Sequence, residues 1–459
     1  MSLEAVVLAA GRGTRMRSNI PKVLHRILGI PMVAWVLRAL PESVERVLVV
    51  TGHGREVVEG VLGASGVSFV HQQEQKGTGD AMRAVLPCLR EPWVLVVPGD
   101  MPLLTTASFE SLMGHHFGEG ADLTVLTAVL EDPGGYGRVV REGDRVVAIV
   151  EEGETSPCQR EIKEVNTGVY VFSRALLEEG LSYLRPHPPK GEYYLTDVVS
   201  WAVGKGRKVK AWSLEDSQEG MGVNDRVQLA EATEVLRVRK NRSLMEAGVT
   251  LMDPRAVYVE ADVEVGPDTV LYPWVYLEGE TRVGGGCVIR SHSRIVDSVL
   301  EGNVTVLDAC VIQGSFLASG VSVGPMAHLR PGTRLEEGVK VGNFVEVKKS
   351  TLGRGTKAGH LAYIGDATLG EGVNVGAGTI TCNYDGFAKH PTVIGDGVFI
   401  GSDTQLVAPV KVGAHALIGA GSTITKDVPE NALALSRAHQ RVIPNRGVLY
   451  YKKRKGGEG

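Results

Sequence analysis

Residues 398–427 read VFIGSD, TQLVAP, VKVGAH, ALIGAG and STITKD, which are five hexapeptides in one frame. Each hexapeptide opens with a small or β-branched residue, and an aliphatic residue follows two positions later: Ile400, Leu406, Val412, Ile418 and Ile424. Such an i, i+2 pair is typical of a short strand with one buried face. Glycine after three of these strands allows a sharp bend that residues with a Cβ resist. Strand and bend repeating every six residues predict a parallel β-helix, whose coils must stack because one coil cannot bury its inward side chains.

The same frame extends back toward the middle of the chain, with earlier copies opening at Val263, Thr281, Val304 and Val339. We therefore predict a β-helix domain over residues 251–437, with roughly ten coils of three hexapeptides each. The alternative is a β-sandwich with regular hairpins, in which turns usually recur every ~8–12 residues and less regularly.

Bulk composition limits the class of protein. The chain has 459 residues, 43% hydrophobic and 22% charged, which is typical of a soluble protein of two or three domains. Its net charge of −4 gives no electrostatic indication of a nucleic-acid partner. Five scattered cysteines lack metal-ligand spacing, so we expect buried or free thiols in a reducing compartment. Without a signal-peptide pattern or an apolar run near ~20 residues, we expect a cytoplasmic protein that does not contact a membrane.

Residues 1–224 have the pattern of an α/β domain. Continuous apolar runs at Ala5–Ala9, Arg46–Val50 and Trp93–Val97 are typical of strands covered on both faces. Helical patterns lie between them, at Met32–Ala39 and Ala81–Leu89. This alternation predicts a doubly wound, mainly parallel sheet that binds its ligand at the carboxyl ends of the strands.

The loop after the first strand has the residues of a phosphate site. Gly11 and Gly13 let backbone amides approach a phosphate, and Arg15 and Lys22 can add positive charge. A tight turn and a solvated lysine are the alternative readings of the same residues.

Two further motifs of this half lie at places where a nucleotide could bind. Gly77-Thr78-Gly79 precedes a helical run and could bring polar groups to a base or ribose, unless Thr78 only caps the helix. Asp100 ends the strand at Trp93–Val97, where a carboxylate could hold Mg²⁺ against a triphosphate, or could simply belong to a turn.

The conjunction of these motifs resembles the sugar-1-phosphate nucleotidyltransferases. They occur in the order LAAGRGTRM at 8–16, PK at 21–22, GTG at 77–79 and GD at 99–100. The match continues through GYGR, VE, VNTG and GVN at 135–138, 150–151, 165–168 and 222–224. The resemblance implies a set of nucleotide- and sugar-nucleotide-binding residues: Leu8, Ala9, Ala10, Gly11, Lys22, Gln72, Gly77, Thr78, Gly137, Glu151, Asn166 and Asn224. It also implies that Asp100 and Asn224 hold Mg²⁺, and that Arg15 and Lys22 act catalytically by offsetting phosphate charge.

Residues 225–250 predict a helical connector. The run is rich in helix formers, and Gly248 is placed to end the helix. It also carries Arg237, Arg239, Lys240 and Arg242, which we interpret as a solvated helix face rather than a nucleic-acid surface.

Four departures from the hexapeptide rhythm carry the chemistry of the second half. They are Arg330–Gly332, Glu346–Lys349, Lys357–Tyr363 and a loop inserted at Thr381–Lys389. His360 lies in the third, where a lone histidine is usually only a polar surface group. A functional role for His360 is favoured because Arg330, Lys348 and Tyr363 can converge near it on one face.

These segments closely resemble the second half of the fused, bifunctional N-acetylglucosamine-1-phosphate uridyltransferases and glucosamine-1-phosphate acetyltransferases. The matching stretches are GNFVE at 342–346, KAGHL at 357–361, NVGAGTITCNYDG at 374–386 and GSDTQLVAP at 401–409. The resemblance implies a left-handed β-helix and a homotrimer with acetyl-transfer sites between subunits. It implies acetyl transfer from acetyl-CoA to glucosamine-1-phosphate, then uridylyl transfer from UTP to N-acetylglucosamine-1-phosphate, which makes the UDP-sugar used for peptidoglycan and lipopolysaccharide.

The same resemblance implies residue roles in the β-helix. His360 is expected to be the general base on the amine. The acceptor sugar phosphate is expected to meet Arg330, Lys348, Tyr363, Asn374 and Lys389. Acetyl-CoA is expected to meet Ala377, Asn383, Tyr384, Ser402, Ala420 and Arg437. The chain departs from the family's usual residues at Pro98, Glu152 and Ala362, and none of these departures removes a group that the chemistry needs.

Two competing interpretations remain. In one, only the nucleotidyltransferase is active and the β-helix oligomerises or regulates it. In the other, the β-helix is a trimeric scaffold without enzymatic activity. The basic tail at 438–459 is interpreted as a solvated end, with contact to a nucleotide or CoA phosphate as the alternative.

Overall fold

The computed structural model describes residues 2–143, 145–189 and 191–449. The basic segment of the tail, residues 452–455, lies outside the described residues. Internal contacts divide the chain into a first unit, Met1–Arg239, and a second unit, Lys240–Gly459.

The first unit is an α/β domain built on one nine-stranded sheet and a small hairpin. Its strands are β1 (Leu3–Leu8), β2 (Arg26–Ile27), β3 (Ile30–Pro31), β4 (Val44–Thr51), β5 (Ser68–His71), β6 (Trp93–Pro98), β7 (Leu123–Val129), β8 (Arg138–Glu142), β9 (Arg145–Val150), β10 (Glu164–Ser173) and β11 (Val209–Ser213). Its helices are α1 (Met32–Ala39), α2 (Arg55–Leu62), α3 (Thr78–Val85), α4 (Thr106–Glu119), α5 (Pro157–Arg160), α6 (Arg174–Tyr183) and α7 (Thr196–Gly204), and α8 (Arg226–Glu246) follows.

The large sheet has the order β11-β7-β10-β6-β1-β4-β5, with β8 and β9 attached beside β10. The three predicted strands correspond to β1, β4 and β6, which pair in parallel. Their apolar runs are continuous because both faces are covered: Val7 packs in one core cluster and Val6 in another. β10 runs antiparallel between β6 and β7. The rest of the main order, β5-β4-β1-β6 and β7-β11, is parallel, so the prediction of a mainly parallel sheet is confirmed.

The second unit is a parallel β-helix of three sheets. The first sheet contains Thr250–Leu251, Val270–Leu271, Val288–Ile289, Thr305–Val306, Ser322–Val323, Lys340–Asn343, Lys357–His360, Asn374–Val375, Phe399–Ile400, Leu417–Ile418 and Leu433–Ala434. The second contains Val257–Val259, Val275–Glu278, Arg294–Val296, Val311–Gln313, His328–Leu329, Glu346–Lys348, Tyr363–Gly365, Ile380–Cys382, Gln405–Val407 and Thr423–Ile424. The third contains Glu264–Val265, Arg282–Val283, Val299–Leu300, Ser315–Leu317, Thr333–Leu335, Thr351–Leu352, Ala367–Leu369, Thr392–Ile394 and Val410–Val412.

Strand registry explains why the hexapeptide frame specifies this fold. Val341, Ala358, Val375 and Ile400 pair in sequence and are all buried in one continuous core. Sheets of eleven, ten and nine strands agree with the predicted ten or so coils. Most coils advance by 17 or 18 residues, but the step from Asn374 to its partner Phe399 is 25, because the predicted inserted loop lies between them.

Two of the four predicted interruptions are regular strands. Glu346–Lys348 is a strand with Val347 buried, and Lys357–His360 pairs in register with Lys340–Asn343. The prediction that charge replaces a bend at Glu346–Lys349 is confirmed only at Lys349, because Glu346 and Lys348 lie at outward positions of the strand. The bends follow at Lys349 and Leu361, whose φ angles are 44° and 46°.

The predicted connector is the helix α8, and Gly248, with φ of 93°, follows its end. The interpretation of its cations as a solvated face is wrong at two positions. Arg237 is only 3% exposed, and Lys240 donates hydrogen bonds to the carbonyls of Ala261 and Val263 at 2.9 and 2.8 Å. Arg242, paired with Glu246, is exposed as expected.

All five cysteines lie in the described ranges and are free thiols. Among the helices of those ranges, none combines the length and apolar character required to cross a membrane.

Candidate functional site

A cavity of about 720 Å³ opens in the first unit beside the ends of β1 and β6. Its wall contains eleven of the residues predicted to bind nucleotide, sugar or metal: Leu8, Ala9, Ala10, Gly11, Lys22, Gln72, Gly77, Thr78, Asp100, Glu151 and Asn166. The predictions for this half, made from separate motifs, therefore meet in one place.

Four polar or charged residues from separate places in the sequence meet at one end of the cavity. The Lys22 ammonium contacts the Asp100 carboxylate and donates to Asn224 Oδ1 at 3.1 Å. Arg15 donates to the same Asn224 oxygen at 3.0 Å. The backbone holds this arrangement, since Val223 N donates to Asp100 O at 2.9 Å. Arg15 and Asn224 thus adjoin the cavity through Lys22, although neither lines it.

The donor set at this end fits Mg²⁺. Asp100 and Asn224 both direct side-chain oxygens at one cation, the Lys22 ammonium, and hard oxygen donors are what Mg²⁺ takes from proteins. No group of three or more His, Cys, Asp or Glu side chains suited to a metal occurs in the described ranges. Two protein ligands suffice for Mg²⁺ when phosphate and water complete its shell.

The Gln72–Thr78 segment forms another wall of the cavity. Gln72 Nε2 donates to Gly77 O at 3.1 Å and to Asp80 Oδ2 at 2.8 Å, which fixes its amide. Gly77 has φ of 95°, and a Cβ there would lie 2.5 Å from Tyr193 O. Thr78 is the first residue of α3 and does not cap it, because its hydroxyl accepts from Leu195 N at 3.0 Å. The capping alternative is therefore wrong.

The remaining wall carries Glu151 and Asn166. Burial raises the pKa of Glu151, while the Thr196 hydroxyl, which donates to Oε1 at 2.9 Å, lowers it. Asn166 donates to the Tyr170 hydroxyl at 2.7 Å, and its backbone amide donates to Gly137 O at 2.8 Å. Gly137 therefore lies against this wall without lining the cavity.

One segment of the wall, between α6 and α7, was not predicted. Glu192, Tyr194, Leu195 and Thr196 line the cavity, and none was predicted to. The stretch GEYYLTD at 191–197 was the available signal, because tyrosines and acidic residues cluster there beside a proline-rich loop.

In the β-helix, a cation cluster forms on the second sheet. Arg330 pairs with Glu346 at 2.8 Å. Lys389, from the inserted loop, adjoins Lys348 and lowers the pKa of Lys348. The paired ammonium groups would be stabilised by an anion, since like charges at close range repel.

Two further predicted residues adjoin this cluster. Asn383 Nδ2 lies 3.4 Å from the Tyr363 hydroxyl and donates to the Asp366 carboxylate. Tyr384 follows in the inserted loop and is exposed, and its hydroxyl donates to Gly386 O at 2.6 Å.

A second group of predicted residues lies in successive coils, at the corner between the first and second sheets. His360 Nδ1 lies 2.6 Å from Asn343 Oδ1, and the two residues are paired in adjacent coils. Ala377, Ser402 and Ala420 follow in the next coils, linked through backbone bonds such as Gly378 N to Leu361 O and Gly421 N to Ser402 O. Arg437 donates to Ala420 O at 2.8 Å at the far end, and Asn374 lies on the adjoining strand. We call this set the corner column.

The predicted residues of the second half thus form two groups within one chain. Arg330, Lys348 and Tyr363 interact with one another. The ring of His360, near which they were predicted to converge, is instead paired with Asn343 in the corner column. Asn343 and Asp366 were missed as site residues, because an asparagine at a strand end and an aspartate in a bend are common features of any β-helix.

Comparisons with known proteins agree with both halves. Residues 5–181 match the MobA-like NTP transferase domain, and residues 391–426 match the bacterial transferase hexapeptide (six repeats). The chain is 49% identical to the "Bifunctional protein GlmU" of Carboxydothermus hydrogenoformans, over 95% of this chain and 98% of that protein. It is 51% identical to the protein of the same name from Heliobacterium modesticaldum, over 99% of each. Identity to that of Syntrophotalea carbinolica is 53%, over 96% of each.

Proposed function

Since the chain belongs to the family of bifunctional GlmU proteins, we propose that it carries out two successive transfers in the synthesis of UDP-N-acetylglucosamine. The second unit transfers an acetyl group from acetyl-CoA to glucosamine-1-phosphate. The first unit then transfers a uridylyl group from UTP to N-acetylglucosamine-1-phosphate and releases pyrophosphate. The observation that carries this proposal is the Asn343–His360 pair at the head of the corner column, because a plain scaffold requires neither residue.

In the first unit, a phosphate oxygen of the sugar phosphate attacks the α-phosphorus of UTP, and the bond to the pyrophosphate breaks. Positioning and charge neutralisation supply most of the catalysis in such transfers. Arg15 and Lys22, at the charged end of the cavity, offset the charge that develops on the phosphates. Gly11 and its neighbours bring backbone amides to the triphosphate.

The other walls bind the rest of the two substrates. Gln72, Gly77 and Thr78 read the uracil, and the bonded amide of Gln72 presents a fixed edge to it. Glu151 and Asn166, together with Gly137, hold the sugar.

Asp100 and Asn224 would hold Mg²⁺. When bound, the ion neutralises triphosphate charge and orients the phosphates. Lys22, which contacts both Asp100 and Asn224, would then offset charge on the phosphates.

In the second unit, the amine of glucosamine-1-phosphate attacks the thioester carbonyl of acetyl-CoA. Asn343 Oδ1 can only accept, so His360 Nδ1 carries a proton and Nε2 keeps the lone pair that removes the amine proton. The thiolate of CoA leaves and the new amide bond remains. Arg330, Lys348 and Lys389 hold the sugar phosphate, and Tyr363 and Asn374 orient the sugar.

The acetyl-CoA residues lie in both groups: Ala377, Ser402, Ala420 and Arg437 in the corner column, Asn383 and Tyr384 beside the cations. An assembly in which the corner column of one subunit faces the cation cluster of another would unite them. For this reason we propose that the protein is a homotrimer.

The test is a paired assay on the intact protein. It is incubated with glucosamine-1-phosphate, acetyl-CoA, UTP and Mg²⁺, and release of CoA and of pyrophosphate is followed separately. Asp100→Ala is expected to abolish pyrophosphate release from supplied N-acetylglucosamine-1-phosphate and to leave CoA release intact.

His360→Ala provides the reciprocal variant, with CoA release lowered by ~10²–10⁴ as expected for removal of a general base. Loss of both activities in either variant would contradict separate sites. A His360→Ala enzyme within about tenfold of wild type would contradict the base assignment.

A further inference from the structure

His187 lies between α6 and α7, and the reaction described above gives it no role. Its two ring nitrogens are both engaged by carboxylates. Nδ1 is 3.0 Å from Glu154 Oε1, and Nε2 is 2.8 Å from Asp197 Oδ2. The ring also packs on Tyr194, with centroids 4.7 Å apart.

This arrangement requires the doubly protonated ring. An ionised carboxylate can only accept a hydrogen bond, so both ring nitrogens must donate. A neutral imidazole has one N–H and one lone pair, and its lone pair would face a carboxylate oxygen. Loss of one proton therefore breaks one of the two contacts.

Each contact ends on a residue that lies close in sequence to one lining the cavity. Glu154 closes the short turn that follows Glu151, and Asp197 follows Thr196, whose hydroxyl donates to Glu151. Tyr194, under the imidazole ring, lines the cavity itself. The protonated ring thus joins the turn after β9 to the start of α7, the two segments that place Glu151 and Thr196.

We propose that His187 is a positioning residue for uridylyl transfer, holding the sugar-binding wall in place only while its ring carries both protons. This inference rests on the function proposed for the cavity. It assigns His187 no contact with the substrate, and it predicts that sugar binding weakens as the pH rises.

The carboxylates that contact the ring outweigh its partial burial, which lowers the pKa of His187. Asp197 from α7 and Glu154 from the turn raise the pKa of His187. Glu192 forms a backbone bridge with His187 and accepts from the Tyr194 hydroxyl at 3.2 Å, and the Glu151 carboxylate lies beyond. We call the contacts of His187 with Glu154 and Asp197 the clasp. Because the pKa of His187 in the folded protein lies above 6.5, the clasp is complete below that pH. It is lost as the pH rises through the folded pKa.

The experiment compares uridylyl transfer by the wild type and His187→Gln across pH 5.5–9. The quantity is the ratio of their kcat/KM values for N-acetylglucosamine-1-phosphate, in which titrations of UTP and of other shared groups cancel. We expect the wild type to be about two- to fivefold better at low pH, the range that partly exposed ion pairs reach. We expect the ratio to fall toward one above the pKa of His187, with the change in KM rather than kcat.

Two controls accompany this ratio. Arg207→Gln breaks an exposed ion pair with Glu179 in the same unit, away from the cavity, and its ratio to wild type should be flat with pH. Asp197→Ala removes the contact at Nε2 and should reproduce the His187→Gln effect. Acetyl transfer by every variant should be unchanged.

A wild-type to His187→Gln ratio that is constant across the range would overturn the proposal. So would an NMR titration placing the pKa of His187 at or below 6.5, a readout that needs no substrate. Absence of uridylyl transfer in the wild type would instead contradict the function proposed for the cavity, so the two failures are distinguishable.

Discussion

Asn343→Ala tests whether the corner column is a catalytic site. Asn343 Oδ1 lies 2.6 Å from His360 Nδ1, and this is the hydrogen bond through which the protein selects the tautomer of the ring. Without it, the proton is free to reside on Nε2, and the form able to accept the amine proton becomes less populated and less well oriented. Acetyl transfer should therefore fall although His360 itself remains.

The structure sets the size of the effect. His360 is exposed, so the hydrogen bond competes with water and has the usual net value of about 0.5–1.5 kcal/mol. That range converts to a loss of about two- to twelvefold in kcat. Removing the base itself should cost far more, ~10²–10⁴. The order wild type, Asn343→Ala, His360→Ala is thus the prediction.

The assay is CoA release at saturating acetyl-CoA, with pyrophosphate release by the same preparation as the internal control for folding. Asn343→Asp is the matched variant, because it keeps an oxygen that accepts the hydrogen bond from Nδ1. It should retain more of the kcat for acetyl transfer than Asn343→Ala does. If Asn343→Ala changes CoA release by less than about 1.5-fold, or if it lowers both activities equally, the role given to Asn343 is wrong.

Three further predictions concern other parts of the molecule. Thr196→Val removes the hydroxyl that lowers the pKa of Glu151. If ionised Glu151 holds the sugar, the acid limb of kcat/KM for uridylyl transfer should move to higher pH. Thr196→Ser keeps the hydroxyl and should leave the acid limb unchanged. Gly342→Ala would place a Cβ 1.8 Å from Gly359 O and should lower the stability measured by thermal unfolding by ~1–3 kcal/mol. A Cβ at Gly359 would meet nothing within 4 Å, so Gly359→Ala should change the stability little. Equal shifts for the two variants would contradict the coil packing. Sedimentation equilibrium should give three chain masses, and a monomer at micromolar concentration would contradict the shared acetyl-transfer site.

The fold was predictable because its determinants are periodic. Inward residues such as Val341 and Val375 recur at fixed spacing, and each coil repeats the same register, so a local pattern specifies a global structure. In the first unit, continuous apolar runs identified β1, β4 and β6, because only strands buried on both faces have that composition. The direction of β10 was not predictable, since Glu164–Ser173 has the same alternation whichever way it enters the sheet.

Of the candidate sites, only the parts with a contiguous motif could be predicted from the residues themselves. The glycine loop at Gly11 and the strand end at Asp100 are both readable in the sequence, and their meeting at Lys22 follows from parallel strands that share an edge. Asn343 could not be found in this way, because its importance comes from its register with His360, 17 residues later. The clasp at His187 joins Glu154 to Asp197, and nothing in either local sequence indicates the other.

The bends between the first and second sheets give the strongest structural argument for a multi-subunit site. Met326, Phe344 and Leu361 occupy this corner in consecutive coils, with φ angles of 53°, 57° and 46°. Bulky side chains are rare in this left-handed region, where each costs of order 1–3 kcal/mol. All three are also exposed, by 53%, 53% and 60%, so about half of each residue's surface is left uncovered by its own chain. The same corner holds glycine at Gly378 and Gly421, and glycine adopts this conformation without that cost. A neighbouring subunit covering this row would recover the lost burial, and it would do so directly beside His360, where the second half of the acetyl-transfer site is needed.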